Sequence, residues 1–485
     1  MKTVDISIQN ISKVEGHADL DVKVVNGKVE KVKLALTDNK RFFTEAIRGQ
    51  TIDSLPQAVA RICGTCSIAH TMCCIEAIER ALGVKVSEQA MALKKLTMYG
   101  MMIRDHALHV YLFSLPDVFG KDSVLDFVGE EAQYLKDSFV VKRAGNNLST
   151  VVAGRAVHAP YPVVGGFMET PKDKDLKALI PELKEARERM MKVLGVYAKA
   201  KVDYVRETNF VALSGPEFNF LGDYILTSDG KKIPEENYFE HLDKVVIPYS
   251  QAVGYEFEDD TYMLGALARL NLNKDKLHKN TKKDCARYLK MFPSNNIFLN
   301  NLAQAIEIVH SIDHSIEIIQ GWKFKSEAPP KLEYKDCEGV GVIEAPRGLL
   351  YYKLALKKDG TIKEGRIITP TQQNQINMEL DIKKLVQAEI DKRTGEGSGV
   401  GVERDSGSGG SVKGKGELGG GNYSGVGSKK GLGGEDFGGG GKSGLGELGV
   451  KDKEEIQYEM EKLIRSYDPC ISCATHFLKV NWDEK

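Results

Sequence analysis

Apolar and polar residues alternate through residues 4–36, in the runs VDISIQ, ADLDVKVV and VEKVKLAL, with Asn26-Gly27 between the last two. A two-residue repeat sends successive side chains to opposite faces. The pattern therefore predicts an antiparallel N-terminal sheet with a tight turn at Asn-Gly. The period then changes. Apolar residues recur at three- and four-residue spacing through 51–82 and again through 86–114, where MALKKLTMYGMMIRDHALHVYLFS predicts a long helix. Further helices are expected at 174–206, 236–256, 282–322 (broken near Pro293), 377–392 and 453–466. Strand character returns at 340–369, where Asp359-Gly360 marks a hairpin. No regular strand–helix–strand alternation runs through the chain. The expected fold class is therefore α+β, predominantly helical, with small peripheral antiparallel sheets.

Between Thr394 and about Gly449 the periodicity disappears into glycine, serine and scattered charges. Such a stretch cannot bury enough apolar surface to offset the entropy of ordering, and reads as a flexible linker. A phosphate-binding loop would need G-x-x-x-x-G-K-[ST], which does not occur there. The expected organisation is a body over 1–393, a linker over 394–450 and a C-terminal helical segment over 451–476 that docks back on the body. Closing a long loop costs little more than closing a short one, so the insert is compatible with that docking.

Composition excludes several classes. The formal charge is −1 and basic and acidic residues are interspersed, which argues against a nucleic-acid footprint or a polybasic membrane surface. No run approaches the roughly 20 apolar residues of a membrane span, and the start, MKTVDISIQNISKVEGH, lacks the order of a secretory signal. The chain reads as cytoplasmic. In that setting its eight cysteines point to metal binding or catalysis rather than to a disulfide framework.

Four of the cysteines form two C-x-x-C pairs, Cys63/Cys66 and Cys470/Cys473. A C-x-x-C at a helix start directs two thiolates to one point, and two such pairs make a soft site suited to zinc, iron–sulfur or nickel. A structural zinc site with four cysteines is the plainest alternative. Compact zinc ribbons, however, separate their pairs by some 15–20 residues, whereas here about 400 intervene. A thioredoxin-like redox pair would call for a βαβ context that the pattern lacks.

The segments R-I-C-G-T-C-S-I-A-H (61–70) and D-P-C-I-S-C-A-T-H (468–476) resemble the two signature motifs of nickel–iron hydrogenase large subunits. Supporting motifs extend the resemblance over most of the chain outside the linker. Lys13-Val14-Glu15-Gly16-His17 is similar to R-[IV]-E-G-H, and Gly154-Arg155-Ala156-Val157-His158 with Gly165-Gly166 to G-x-x-x-H…G-G. Glu344-Ala345-Pro346-Arg347-Gly348 matches E-A-P-R-G, and Pro370-Thr371-Gln372-Gln373-Asn374 is similar to P-[ST]-x-x-N. The wording of the cysteine motifs looks most like the cytoplasmic type from methanogenic archaea that does not reduce coenzyme F420. The F420-reducing relative is the alternative.

The resemblance implies the large-subunit fold with a central helix bundle, and reversible oxidation of dihydrogen. It implies that Cys63, Cys66, Cys470 and Cys473 hold nickel, and that Cys66 and Cys473 also hold an iron carrying carbon monoxide and cyanide. Arg347 and Thr371 would hydrogen-bond the cyanides, Glu15 would carry protons, and Asp468 would tune Arg347, with Asp117 a further carboxylate nearby. His476, with Glu45, would hold a magnesium or iron ion. A maturation endopeptidase would cut after His476, making 477–485 a removable tail. Implied partners are heterodisulfide reductase, an iron–sulfur small subunit, and a subunit for electron transfer.

Without the flanking motifs, Arg347 would read as an ordinary surface ion pair and Glu15 as a solvated strand residue. Relatives place a glutamate where this chain has Thr44, with Glu45 next to it, and His158 is followed by Ala159-Pro160 where they have His-Pro. Cys73, Cys74, Cys285 and Cys337 read as buried structural thiols. His106, His109, His310 and His314 read as core or interface histidines, and His70 belongs to the first cysteine motif.

Overall fold

Alternation at the N-terminus becomes a three-stranded antiparallel sheet, Thr3–Ile8, Ala18–Val25 and Lys28–Leu36. This is seen in a computed structural model that describes residues 3–38, 41–394 and 450–475. Asn26 and Gly27 both have positive φ (50° and 79°), as a two-residue turn matched to the strand twist requires. The inward set, including Ile6, Leu20, Val22, Leu34 and Leu36, is buried. Glu379, on the helix Pro370–Thr394, accepts from the Leu34 amide at 2.9 Å and ties that helix to the sheet.

The body is built from long helices, chiefly Ser67–Leu82, Glu88–Ala107, Ala132–Ala153, Ile180–Lys199 and Leu299–Gly321. Glu88–Ala107 is capped by Ser87, whose hydroxyl accepts from the Ala90 amide, and its far end widens into π-helical turns over Leu108–Ser114. The sheet of Cys337–Ala345, Gly348–Leu356 and Ile362–Ile368 is antiparallel throughout, with Asp359-Gly360 in its second connection. Most of its residues are buried, because it packs against the Ser67–Leu82 helix. It is thus part of the core rather than the periphery.

Three further elements differ from what the sequence led one to expect. Residues 236–256 are not a helix. They form a 3-10 turn (Glu235–His241) and two antiparallel strands, Leu242–Val245 and Gly254–Phe257. The β-branched run Val245-Val246-Ile247, followed by Pro248, outweighs a short apolar spacing that fits either period. The helix Ala132–Ala153 was not foreseen, because its buried stripe includes Asp137, Ser138 and Ser149 while Phe139 points to the surface. One strand pair is parallel, Tyr262–Met263 against Asn209–Phe210.

The helix Val450–Ser466 packs on Pro370–Thr394, with Arg393 pairing to Glu455 at 3.1 Å. It ends in a short turn of helix, Ile471–Ala474, whose residues are almost entirely buried. Most of the expected linker (395–449), His476 and the tail at 477–485 lie outside the described residues. No helix among the described residues is long and apolar enough to cross a membrane.

Candidate metal centre

Each cysteine pair straddles a helix start. Cys63 follows the 3-10 turn Ala60–Ile62 in extended conformation, and Cys66 precedes the helix Ser67–Leu82. Cys470 precedes Ile471–Ala474, which contains Cys473. The tertiary fold brings the pairs together. Cys63 Sγ lies 3.5 Å from Cys470 Sγ, Cys66 Sγ 3.1 Å from Cys473 Sγ, and Cys470 Sγ 2.7 Å from Cys473 Sγ. All four sulfurs fall within 4.8 Å of one another and all four residues are buried. None of these separations is the roughly 2.05 Å of a disulfide, and the four cysteines are free.

Crowded thiols cannot all ionise unaided. Hydrogen bonds from Cys470, Cys473 and Cys66 push the Cys63 thiol well below its ordinary value, while burial pushes Cys470 and Cys473 up. A soft cation among them removes that conflict, because it binds the thiolate form of each. The donor set therefore fits nickel, and it fits zinc equally well.

What surrounds the thiols separates the two. Glu15 reaches the cluster through a backbone bridge to Cys470, and the Ile471 amide donates to the Glu15 carbonyl at 2.7 Å. Its Oε2 accepts from the Cys470 thiol at 3.0 Å and from the Ser472 amide at 3.2 Å. Burial raises its pKa, with the Cys63 charge adding to the effect. Gly16 permits this approach. Its φ is +88°, and a Cβ there would come within 2.8 Å of Ile471 Cβ and 2.9 Å of the Ser472 amide.

Arg347 sits in the two-residue turn between paired Ala345 and Gly348 and is only 3% exposed, so it is not a surface ion pair. Its Nε donates to the Asp468 carbonyl at 2.8 Å and its Nη2 to Asp468 Oδ1 at 3.0 Å. Nη1 lies 3.0 Å from Asp105 Oδ1 yet makes no aligned hydrogen bond among the described residues, leaving a buried donor to offer a ligand. Burial opposes the Arg347 charge, but Asp105, Asp468 and then the thiolates outweigh it and its pKa rises. Asp468 takes a left-handed φ of +52°, which Asp tolerates better than most residues. That turn ends the Val450–Ser466 helix ahead of Pro469. The Thr371 hydroxyl accepts from the Cys470 amide at 3.0 Å.

Sequence reasoning missed Asp105 and pointed instead to Asp117. The structure places Asp117 elsewhere, buried between Arg465 (2.7 and 2.9 Å) and Lys13 (2.8 Å). There it ties the N-terminal motif to the approach of the second cysteine pair. Arg269 was missed too. It spends its donors on Glu307, Glu344 and the Ala345 and Pro346 carbonyls, at 2.6–3.1 Å, and so braces the turn that carries Arg347. An isolated arginine in an apolar helix is the one local sign of such a role. His70 is buried against the Tyr352 hydroxyl at 2.8 Å, and burial lowers its pKa to about 4. Glu45 is exposed and pairs with Arg48 at 3.2 Å, and no other candidate ligand joins it among the described residues.

Residues 41–140 match the family described as nickel-dependent hydrogenase. The alpha subunit of sulfhydrogenase 1 from Pyrococcus furiosus is 28% identical over 481 residues, 98% of either chain. A vhu-type F420-non-reducing hydrogenase of Methanocaldococcus jannaschii contains a chain that is 28% identical over 422 residues, 79% of this chain and 98% of its own. Among solved structures, an NAD+-reducing NiFe hydrogenase in its H2-reduced state superposes with a TM-score of 0.75 at 21% identity, covering 98% of this chain and all of the other. At that identity the structural likeness is one of fold.

Proposed function

We propose that the chain is the large subunit of a nickel-dependent hydrogenase, like the proteins it resembles, and that it cleaves dihydrogen reversibly on Cys63, Cys66, Cys470 and Cys473. The observation that carries this reading is the convergence of four buried thiols with Glu15 on one side and Arg347 close by. A zinc site needs the thiols alone.

In this reading all four thiolates would hold nickel, and Cys66 and Cys473 would also serve an iron bearing carbon monoxide and cyanide. Bound there, the pair of metals supplies the two-electron chemistry that takes dihydrogen to two protons and two electrons. The residues do the rest. The Cys470 sulfur takes a proton and passes it to Glu15 Oε2, which its 3.0 Å contact allows. Arg347 would offer its Nη1 donor, which makes no aligned hydrogen bond among the described residues, to a cyanide, and Thr371 would offer its hydroxyl proton to the other. Asp468 holds the Arg347 fork in place.

Electrons leave through an iron–sulfur small subunit, since the described residues hold no second cluster of candidate ligands. Through an electron-transfer subunit they pass on toward heterodisulfide reductase. The body over 1–393 and the segment 451–476 form one catalytic unit joined by the 394–450 linker. Maturation cuts after His476, releasing 477–485. A magnesium or iron ion at His476 completes the proposal, and Glu45 joins it only if its pair with Arg48 breaks.

Anaerobic infrared spectra of the chain purified with its partners test the reading. Carbonyl and cyanide bands that shift under hydrogen are the expected result. A metal-replete protein without them is a zinc protein or another centre. Glu15→Gln keeps the shape but not the proton-carrying carboxylate. Turnover is expected to fall by roughly 100-fold or more with the infrared bands intact. Unchanged turnover would assign the proton exit to another group.

A further inference from the structure

The chain of hydrogen bonds behind Arg347 extends one residue further than the proposed mechanism uses. His109 lies on the π-helical turns that follow the helix bearing Asp105, and it is 1% exposed. Widened turns of this kind recur at functional sites. Its Nδ1 is 2.6 Å from Gln304 Oε1, and its Nε2 is 2.7 Å from the Arg465 carbonyl oxygen. Both partners are acceptors. A neutral imidazole has one N–H and one lone pair, so it satisfies one of these contacts and sets a lone pair against an oxygen in the other.

Neither partner can turn to relieve that clash. The Arg465 carbonyl is main chain at the end of the Val450–Ser466 helix. The Gln304 amide could rotate, but its Nε2 donates to Asp468 Oδ2 at 2.9 Å. Rotation would face an amide oxygen with a carboxylate oxygen. Asp468 thus sets the orientation of Gln304, and Gln304 in turn demands a proton on His109 Nδ1.

The charges agree. Arg347 is one cation between two buried carboxylates, Asp105 and Asp468, beside four thiols. His109 Nε2 lies 3.9 Å from Asp468 Oδ1, so the ring also faces that buried carboxylate directly. Arg465, whose carbonyl faces the ring, has its own guanidinium bound to Asp117, and the edge of Phe113 lies against the imidazole.

We infer that His109 is a positioning residue that donates from both ring nitrogens and, through Gln304, fixes the Asp468 carboxylate against Arg347. Its role at the centre rests on the function proposed above, whereas its two protons do not. Neutron diffraction from deuterium-exchanged crystals of the assembled enzyme reads those protons directly. Deuterium on both nitrogens is expected. One bare nitrogen overturns the inference, whether or not iron-ligand bands are found. His109→Gln in the assembled enzyme then tests the positioning. Nickel content should hold, the infrared bands should shift, and turnover should fall about 100-fold, as small misplacements near reacting groups do. Wild-type bands and turnover in that variant would overturn it.

Discussion

Cys473→Ser is expected to leave a folded chain that loses its nickel and its hydrogenase activity together. Cys473 Sγ is 3.1 Å from Cys66 Sγ and 2.7 Å from Cys470 Sγ, so it closes the cluster from both sides. A serine hydroxyl fills nearly the same space, but it is neither a soft donor nor ionised at neutral pH. Four-ligand sites of this chemistry, judged by zinc–cysteine peptides, bind with about 10–16 kcal/mol. Losing one ligand of four removes roughly 3 kcal/mol, about two orders of magnitude in affinity. Metal analysis of the purified protein reads the loss, and a thermal melt shows that the remaining core still folds. A serine variant holding its full nickel would remove Cys473 from the ligand set and, with it, the assignment of a bridging thiolate.

Arg347→Lys should give the opposite pattern, with metal retained and turnover lost. The arginine makes three separate contacts from one rigid fork: Nε to the Asp468 carbonyl, Nη2 to Asp468 Oδ1, and Nη1 beside Asp105. Lysine keeps the charge that Asp105 and Asp468 require, but it concentrates its donors at one point and cannot span all three positions. The positive charge then sits on one carboxylate and withdraws the donor beside the other. Removing one preorganised donor from an active site costs about 100- to 1000-fold in rate. We expect a fall of that size with nickel and the iron-ligand bands preserved. A lysine variant with near-normal turnover would mean that Arg347 serves only to neutralise its two neighbours.

The contrast between Arg347 and its neighbours shows where sequence reasoning stops. Arg347 stood out because an entire pentapeptide around it resembled a known motif. Asp105 carries no such flank, and it lies in a helix where almost every residue is buried, polar ones included. Nothing local separates it from Asp117, which proves to serve Arg465 and Lys13 instead. Likewise the 236–256 segment offered an apolar spacing compatible with two periods, and its β-branched run with Pro248 settled it as strand.

Residue type and spacing along the chain determined local features: two pairs of soft ligands, each set at a helix start, and a tight turn at Asn26-Gly27 that takes left-handed backbone. These are local properties, expressed within one or two turns of chain. Which groups face one another is a matter for the folded molecule alone. Glu15 meets Cys470 across 455 positions of sequence, and Arg347 meets Asp105 and Asp468 from three separate elements. Burial forces every charge in the interior to find a partner, but the spacing of residues along a chain records the face on which a group lies and not the group it will meet.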